Sequence, residues 1–489
     1  MNESHMISRF DTVSPLDSRY YTDDLEFFNQ LRPYVSEAAN IRYLLKVELA
    51  LIKTLAKWGI CESEVVQEVE EACKKIRPEE VYEEEKRVQH NIRALVNCIR
   101  RYIKPESRRF VHLFATSSDI MDTSYALRYK ELVRDVVLPN LIELEEVLID
   151  IARTHSEQVQ IGRTHGQHAI PTTFGYAMAL FVSRVGSRIE GINLTHQNLR
   201  GKFSGAVGAF NGLGMYVDDP IDFERHLLSE LGLKPSETSV SSQIVEPEPV
   251  TDLVYSVISC FSVLANLADD MRNLIRSEIG EILDKYHEDE VGSSTMPHKM
   301  NPKNFENVKS LWKEFMPRMT TVFMDQISEH QRDLTNSASS RFLAELFTGF
   351  CYAVMRMMDA LSKIESDGAK MEANLELSKD LVVAEPLYIL LALQGYPDAY
   401  DTVRSLSRRS RDGKNKLIDL VWQDAQLAAY LQRLPEHQKE ILANPALYIG
   451  EAPARTLATC QHWEEVCQNI GRSLKADVIQ HSALASSFA

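Results

Sequence analysis

The middle of the chain contains apolar residues that recur every three or four positions over unusually long stretches. These stretches cover residues 119–154, 174–199 and 249–283. This spacing predicts α-helices, and helices of this length indicate a long helical bundle. Apolar residues also extend around more than one side, as in 264–275 and 346–358. Helices of this kind need several partners, which favours association of several chains through the bundle.

Shorter periodic segments before these long helices predict further helices over residues 37–59, 62–76 and 79–103. Two more long helices are predicted after them, over residues 304–330 and 337–364. After residue 367, glycines and prolines interrupt the pattern and indicate shorter helices. We therefore predict an all-α fold with three domains, covering residues 1–111, 112–364 and 365–489.

Charge and cysteine content narrow the classes of function and partner. The chain of 489 residues has a net charge of -16, which argues against nucleic acid as a partner because nucleic-acid binders need a basic face. Its seven cysteines form no CxxC pair, so we expect reduced thiols and a cytoplasmic location. The longest uncharged run, residues 253–268, falls short of the ~18 apolar residues of a membrane span, so we expect no membrane association.

Four polar islands interrupt the helical pattern, and we predict that they are loops. The most distinctive is GSSTMPHKMNP, residues 292–302, and the others are residues 116–119, 163–168 and 331–337. Together they supply Ser, Thr, His, Lys and Arg, which suits acid–base chemistry on an anionic substrate. A serine acts as a base only where cations and amide donors stabilise its alkoxide. A histidine is the natural proton donor near neutral pH. The inventory therefore fits a β-elimination, in which a proton leaves a carbon beside a carboxylate.

These islands carry a family resemblance. GSSTMPHKMNP resembles the signature loop of the fumarase/aspartase superfamily, and the chain as a whole resembles its adenylosuccinate lyase family. The matching segments occur in order along the chain: Val13–Tyr20, Gln89–Asn91, Phe114–Thr123, Gly162–Gln167, Ser241–Pro247, Gln331–Ser337 and Asn444–Pro453. The family usually carries an acidic residue where this chain has Asn91.

The resemblance implies an architecture and a reaction. We expect the three-domain fumarase/aspartase-type fold, with a central five-helix bundle that forms the core of a homotetramer and active sites shared between chains. We expect release of fumarate from adenylosuccinate and from the succinylated aminoimidazole carboxamide ribotide of purine synthesis. The resemblance implies no metal and no organic cofactor.

Residue roles follow from the same resemblance. Ser294 matches the general base, His165 the general acid and Lys299 the cation that supports the carbanion. His90 matches a second active-site histidine, and Glu306 matches a carboxylate that pairs with the histidines. The expected substrate-binding residues are Arg19, Tyr20, Arg93, Thr116, Ser117, Gln243, Asn301, Arg332, Ser337 and Arg341.

Two other readings of the sequence remain open. The chain could be a different fumarate-releasing lyase of the same superfamily, or a catalytically silent helical scaffold. The pair His165 and His168 has a spacing that could suit a metal, but no neighbouring carboxylate or cysteine completes such a site.

Overall fold

The computed structural model describes residues 11–21, 24–285, 290–413 and 415–486 of the chain. Helices α1 to α10 cover Leu25–Val35, Glu37–Lys57, Ser63–Lys75, Pro78–Val88, Asn91–Arg101, Ser117–Leu132, Leu138–Thr154, Phe174–Gln197, Pro220–Glu230 and Glu248–Leu274. Helices α11 to α21 cover Lys303–Phe315, Arg318–Met324, Leu343–Ser362, Gly368–Glu376, Lys379–Val382, Ala384–Leu393, Ala399–Asp412, Leu417–Gln423, Ala425–Gln432, Glu436–Ala443 and Ala452–Ser486.

The long helices pack side by side around one apolar core. Helix α8 contacts α7, α10 and α21, while α13 contacts α7 and α11. The all-α fold expected from the apolar periodicity is confirmed. The C-terminal helix α21, with 35 residues, is longer than the short helices expected after residue 367. It approaches α8 closely because Gly186 faces Trp463, and a Cβ at Gly186 would lie 2.4 Å from the indole ring.

Several helices end or break where the apolar pattern continues. The stretch 119–154 contains a π-helical turn at Val133–Val137, which joins α6 to α7. The predicted helix over 79–103 divides into α4 and α5, because Gln89 adopts a left-handed conformation with φ 55°. The predicted helix over 304–330 divides at Pro317, which caps the start of α12. Proline cannot donate the backbone hydrogen bond that a helix interior requires.

A second apolar cluster lies in the C-terminal part of the chain. It is formed by buried residues of the short helices between Val383 and Leu442. Helix α21, by contrast, contributes Cys460 and Leu474 to the cluster of the long bundle. The predicted domain boundaries, at residues 111 and 364, remain predictions.

Two short antiparallel strand pairs accompany the helices: the first is a hairpin, and the second joins strands that are far apart in sequence. Strands β1, Val159–Thr164, and β2, Gln167–Thr173, pair antiparallel, as do β3, Ile282–Asp284, and β4, Ile364–Ser366. The first hairpin contains residues 163–168, for which the sequence predicted a loop. That prediction was wrong, and the region is instead an ordered two-stranded arm.

Helix α10 is long and apolar enough to cross a membrane, if only length and composition are considered. However, 61% of its apolar window is buried inside the protein. Core helices of globular bundles have the same character. The absence of membrane association therefore remains a prediction.

Candidate functional site

A cleft with a volume of ≈1210 Å³ runs along helix α6. Its walls come from α6, from the start of α10 and from the segment before α13. Seven of the fifteen predicted site residues line it: His90, Thr116, Ser117, Gln243, Arg332, Ser337 and Arg341. Segments that are distant in sequence thus meet at one concave surface.

Helix α6 begins at the cleft, and its first turn is firmly capped. The Thr116 backbone N–H and the Thr116 hydroxyl both donate to Asp119 Oδ2, each at 2.8 Å. Thr116 and Ser117 line the cleft at this end. The first N–H groups of a helix have no helical acceptor and carry partial positive charge. This end of the cleft is therefore suited to a carboxylate.

Asp119 connects this helix start to a second wall of the cleft. Its Oδ1 accepts a hydrogen bond from Lys202 Nζ and further bonds from Ser204 N at 3.0 Å and Gly205 N at 3.2 Å. Ser204 Oγ lies 2.7 Å from Ser241 Oγ, two residues before the cleft residue Gln243. One buried carboxylate thus fixes the helix start relative to the neighbouring loop.

His90 occupies the junction between α4 and α5. Its backbone is extended, and its Nδ1 accepts the Arg93 backbone N–H at 3.3 Å, so that the imidazole caps α5. An accepting Nδ1 leaves Nε2 as the protonated nitrogen of the neutral ring. The Arg93 side chain is exposed and does not line the cleft. Asn91 lines the cleft and donates from Nδ2 to Met121 Sδ at 3.3 Å.

His112 also lines the cleft, and it was not predicted from the sequence. Its Nδ1 lies 2.7 Å from Oε1 of Glu48, a carboxylate that is 1% exposed. Burial lowers the pKa of His112, but the hydrogen bond and charge of Glu48 outweigh burial and raise that pKa overall. The available signal was Glu48 itself, because a carboxylate interrupts the apolar face of α2 and a buried carboxylate requires a partner.

The segment that carries Arg332, Ser337 and Arg341 is shaped by Asp333. The Asp333 carboxylate accepts the Glu329 and Thr335 backbone N–H groups, at 2.7 and 2.9 Å. These hydrogen bonds lower the pKa of Asp333 to about 2. Arg332 instead donates to Asn336 Oδ1 at 3.2 Å. Asp333 therefore serves the turn, and Arg332 remains at the cleft.

His165 lies at the tip of the first hairpin, away from the residues that line the cleft. His165 and Gly166 have φ of 54° and 73°, as a two-residue hairpin turn with both central residues left-handed requires. The arm is anchored by Arg163, which donates to the buried Glu281 at 2.6 and 3.1 Å. The His165 side chain is exposed, so a rigid arm presents an imidazole to the surroundings of the chain.

The loop of residues 292–302 is also exposed and separate from the cleft. It is closed at its base, where Asn301 Nδ2 donates to the Gly292 carbonyl at 2.8 Å. A Cβ at Gly292 would lie 2.2 Å from the Lys299 carbonyl oxygen, so a side chain there is incompatible with this closure. Ser294 Oγ contacts only Thr295 Oγ1, at 3.4 Å, within the described residues. Both Ser294 and Lys299 are exposed.

The remaining predicted residues occupy other positions. Glu306 lies in the first turn of α11, 3.7 Å from Arg272 Nη2. Arg19 is exposed in a π-helical turn, and the ring of Tyr20 packs on Tyr352 with centroids 4.9 Å apart. Within the described ranges, no three His, Cys, Asp or Glu side chains are grouped as a metal site requires.

Comparison with known proteins gives matches over nearly the whole chain. Residues 21–314 match a family model described as lyase, and residues 328–444 match one described as adenylosuccinate lyase C-terminal. The chain is 34% identical to the adenylosuccinate lyase of Pyrococcus abyssi over 446 residues, which cover 90% of this chain and 95% of the relative. It is 30% identical to the adenylosuccinate lyase of Methanocaldococcus jannaschii, over 90% of this chain and 94% of the relative.

Solved structures share the fold. The 3-carboxy-cis,cis-muconate lactonizing enzyme of Pseudomonas putida superposes with a TM-score of 0.76 and 24% identity, covering 88% of this chain and 97% of the other. A fumarate lyase from Mesorhizobium sp. gives the same values. At this level of identity the likeness concerns the fold alone.

Proposed function

We infer that this chain, which belongs to the adenylosuccinate lyase family, is a carbon–nitrogen lyase that releases fumarate from adenylosuccinate to give AMP. The same elimination on the succinylated aminoimidazole carboxamide ribotide serves the earlier step of purine synthesis. The observation that carries this proposal is the 34% identity over 90% of the chain, together with a cleft lined by seven residues that the family resemblance assigns to the site.

The elimination places specific demands on the site. Removing a proton from a carbon beside a carboxylate puts extra negative charge on that carboxyl group, so hydrogen-bond donors must face it. We propose that Thr116 and Ser117, at the start of α6, and Gln243 hold the succinyl carboxylates. Lys299 supplies the cation for the developing charge, and Asn301 supports the loop that carries it.

We propose that Ser294 is the base and His165 the acid that protonates the leaving nitrogen. His90, already aligned as the cap of α5, lies near the leaving group, and Glu306 tunes the charge around the histidines. Arg332, Ser337 and Arg341 bind the phosphate and ribose from the cleft, and Arg19, Tyr20 and Arg93 complete this part of the site. An arginine fork suits phosphate because two parallel hydrogen bonds fix its orientation.

The active site is completed by other copies of the chain, in a homotetramer. His165 and Ser294 are exposed and lie outside the cleft, so one copy does not surround a substrate with base, acid and binding residues together. The long helices α8 and α10 also expose large apolar side chains, including Tyr176, Leu180, Leu194 and Tyr255. Such surfaces mark association sites, which supports a tetramer built through the bundle.

The proposed location is the cytoplasm, and the proposed partners are small molecules only. All seven cysteines are free, and six of them are buried. Free thiols persist in a reducing compartment.

A turnover assay tests the proposed reaction. Purified oligomer should convert adenylosuccinate to AMP and fumarate, with loss of the absorbance of the succinylated purine. Argininosuccinate, aspartate and malate should remain unreacted in parallel reactions. Turnover of one of these instead would assign the chain to another lyase of the superfamily, and no turnover of any would indicate a silent scaffold.

A further inference from the structure

Arg128 is a buried cation in the cleft wall that the proposed mechanism does not use. It lies on α6, lines the cleft and is 8% exposed. Two of the five N–H donors of its guanidinium are engaged: Nη1 donates to Asn40 Oδ1 at 3.3 Å and Nη2 to Tyr129 Oη at 2.9 Å. Its Nε is buried and has no hydrogen-bond partner.

The Arg128 guanidinium also lacks an ion-pair partner among the described residues. Among the described residues, no carboxylate lies within ion-pair distance of it, and its closest compensation is the face of the Tyr129 ring, 5.0 Å from Cζ. Two other inward-facing cations of this chain have carboxylate partners, as Arg163 has Glu281 and Lys202 has Asp119. An unpaired buried charge is costly, so a site of this kind calls for an anion.

The position of Arg128 along α6 fits the far end of a nucleotide. Ser117 and Arg128 line the same cleft, and eleven residues of helix separate them by roughly 16 Å at the usual rise per residue. Tyr125 lies one turn before Arg128 and also lines the cleft. Its hydroxyl has no hydrogen-bond partner in the described part of the chain and is available to a ligand.

A second cation, Arg341, also lines the cleft and forms no ion pair with another described residue. Two acids of the cleft lining, Glu37 and Asp325, accept the Tyr82 hydroxyl at 2.6 Å and the Ser339 hydroxyl at 2.7 Å. Among the described residues, neither acid forms an ion pair with Arg128 or Arg341. Two cations without ion-pair partners match a doubly charged anion better than a single carboxylate.

We propose that Arg128 binds a phosphate group at this end of the cleft, with the Tyr125 hydroxyl as a second donor. The proposal rests on the proposed function for one source of that phosphate, the monoester of the nucleotide substrate. Free inorganic phosphate is the other source and has the same chemistry. A guanidinium offers phosphate two parallel hydrogen bonds, which an ammonium cannot do.

Binding measurements on the oligomer test this site without relying on turnover. Calorimetric titration with AMP, adenosine and inorganic phosphate compares wild type with Arg128→Gln. If the nucleotide supplies the phosphate, we expect AMP to bind about ten- to a hundredfold more weakly to Arg128→Gln, while adenosine binding is unchanged. If inorganic phosphate is the ligand, its binding is lost while AMP binding is retained.

Arg108→Gln is the matched control, because Arg108 also has a buried Nε without a partner but does not line the cleft. If Arg128→Gln binds AMP and phosphate as tightly as Arg108→Gln does, the proposal is wrong. A carboxylate from a neighbouring copy placed against Arg128 in the oligomer would also overturn it. If Arg128→Gln fails to assemble, the same titrations are made with Arg128→Lys and Tyr125→Phe. Unchanged binding of AMP and phosphate in both of these variants would refute the site. A wild type that binds phosphate through Arg128 without releasing fumarate would refute only the proposed function.

Discussion

Asp119 and Lys202 form an ion pair that is closed to solvent, with the two side chains 0% and 2% exposed. The same carboxylate caps the helix start at Thr116 and receives two backbone N–H groups of the neighbouring loop. Both oxygens of Asp119 accept hydrogen bonds, and this stabilises the buried carboxylate. A buried carboxylate is stable only where it is paired and hydrogen-bonded. The pair therefore fixes one end of the cleft through a residue that does not itself need to touch a substrate.

We expect Asp119→Asn to reduce the free energy of unfolding by about 3–5 kcal/mol, because it leaves Lys202 as an unpaired buried cation. Denaturant unfolding at fixed protein concentration measures this change. Addition of Lys202→Met should restore part of the loss, since it removes that cation. Asp269→Asn is the control: Asp269 pairs with Arg272 and Lys309 near the surface, and we expect a loss of under about 1 kcal/mol. Equal losses for the two single variants would contradict the role given to Asp119.

Ser294→Ala should lower kcat by about 10²- to 10⁴-fold, the range expected for loss of a general base. Because Ser294 is exposed and its hydroxyl has a hydrogen-bond contact only with Thr295 among the described residues, thermal stability and size in solution should stay unchanged. Ser293→Ala is the matched control, since Ser293 Oγ accepts the Met296 backbone N–H at 3.1 Å and shapes the turn. We expect a smaller loss of kcat from Ser293→Ala, and a reversed order would reassign the base.

Mixing two inactive variants tests whether active sites are shared between chains. His165→Gln and Ser294→Ala should each be nearly inactive when pure. Co-expressed, they should regain a fraction of the wild-type turnover, because some sites then receive an intact His165 and an intact Ser294 from different copies. Mass spectrometry establishes that mixed oligomers have formed. Mixed oligomers without turnover would mean that both residues of a site come from one chain.

Glu224 should make stability depend on pH. The carboxyl is 2% exposed, and its Oε1 accepts the Phe203 backbone N–H at 2.7 Å while Oε2 has no partner. Burial raises the pKa of Glu224 from 4.5 to about 7. The folded state thus binds more protons than the unfolded state between these values, and the free energy of unfolding falls as pH rises through this range.

Glu224→Gln removes this titration while keeping an acceptor for Phe203. At pH 8 we expect the variant to be more stable than wild type by about 3–4 kcal/mol, since one pKa unit corresponds to about 1.4 kcal/mol. Near pH 5 the difference should be small. Denaturant unfolding from pH 5 to pH 8 measures both slopes. Glu230→Gln, an exposed position on the same helix, should keep the wild-type slope, and an unchanged slope in Glu224→Gln would show that Glu224 does not titrate there.

The apolar periodicity predicted the long helices. It did not predict the positions at which a polar contact ends a helix. The break between α4 and α5 depends on the left-handed Gln89 and on the imidazole of His90 as a cap, and no glycine or proline marks it. The first hairpin was missed because His165-Gly166 is a weaker turn signal than Asn-Gly. The Arg163–Glu281 ion pair that anchors this hairpin joins residues 118 positions apart, which no local pattern can reveal.

The site residues were predicted from motif resemblance, and the structure shows which of them lie together. Seven of them line one cleft, whereas His165 and Ser294 do not. His112 was not predicted because its role depends on Glu48, a residue of α2 that lies 64 positions earlier in the sequence. Arg128 was not predicted because an arginine in a helix is ordinarily solvated. Only its burial distinguishes Arg128 from such surface arginines.

The π-helical turn at Val133–Val137 has a consequence for how this chain tolerates changes of length. A turn of this type accommodates one residue more than a regular α-helical turn. Deleting one residue there would restore regular winding, and because a wide turn and a regular turn each complete about one rotation, the helix beyond would keep its orientation. The 17 residues of α7 would then still direct their apolar side toward α8. Single-residue deletions should therefore be better tolerated in this turn than in the regular parts of α6 and α7.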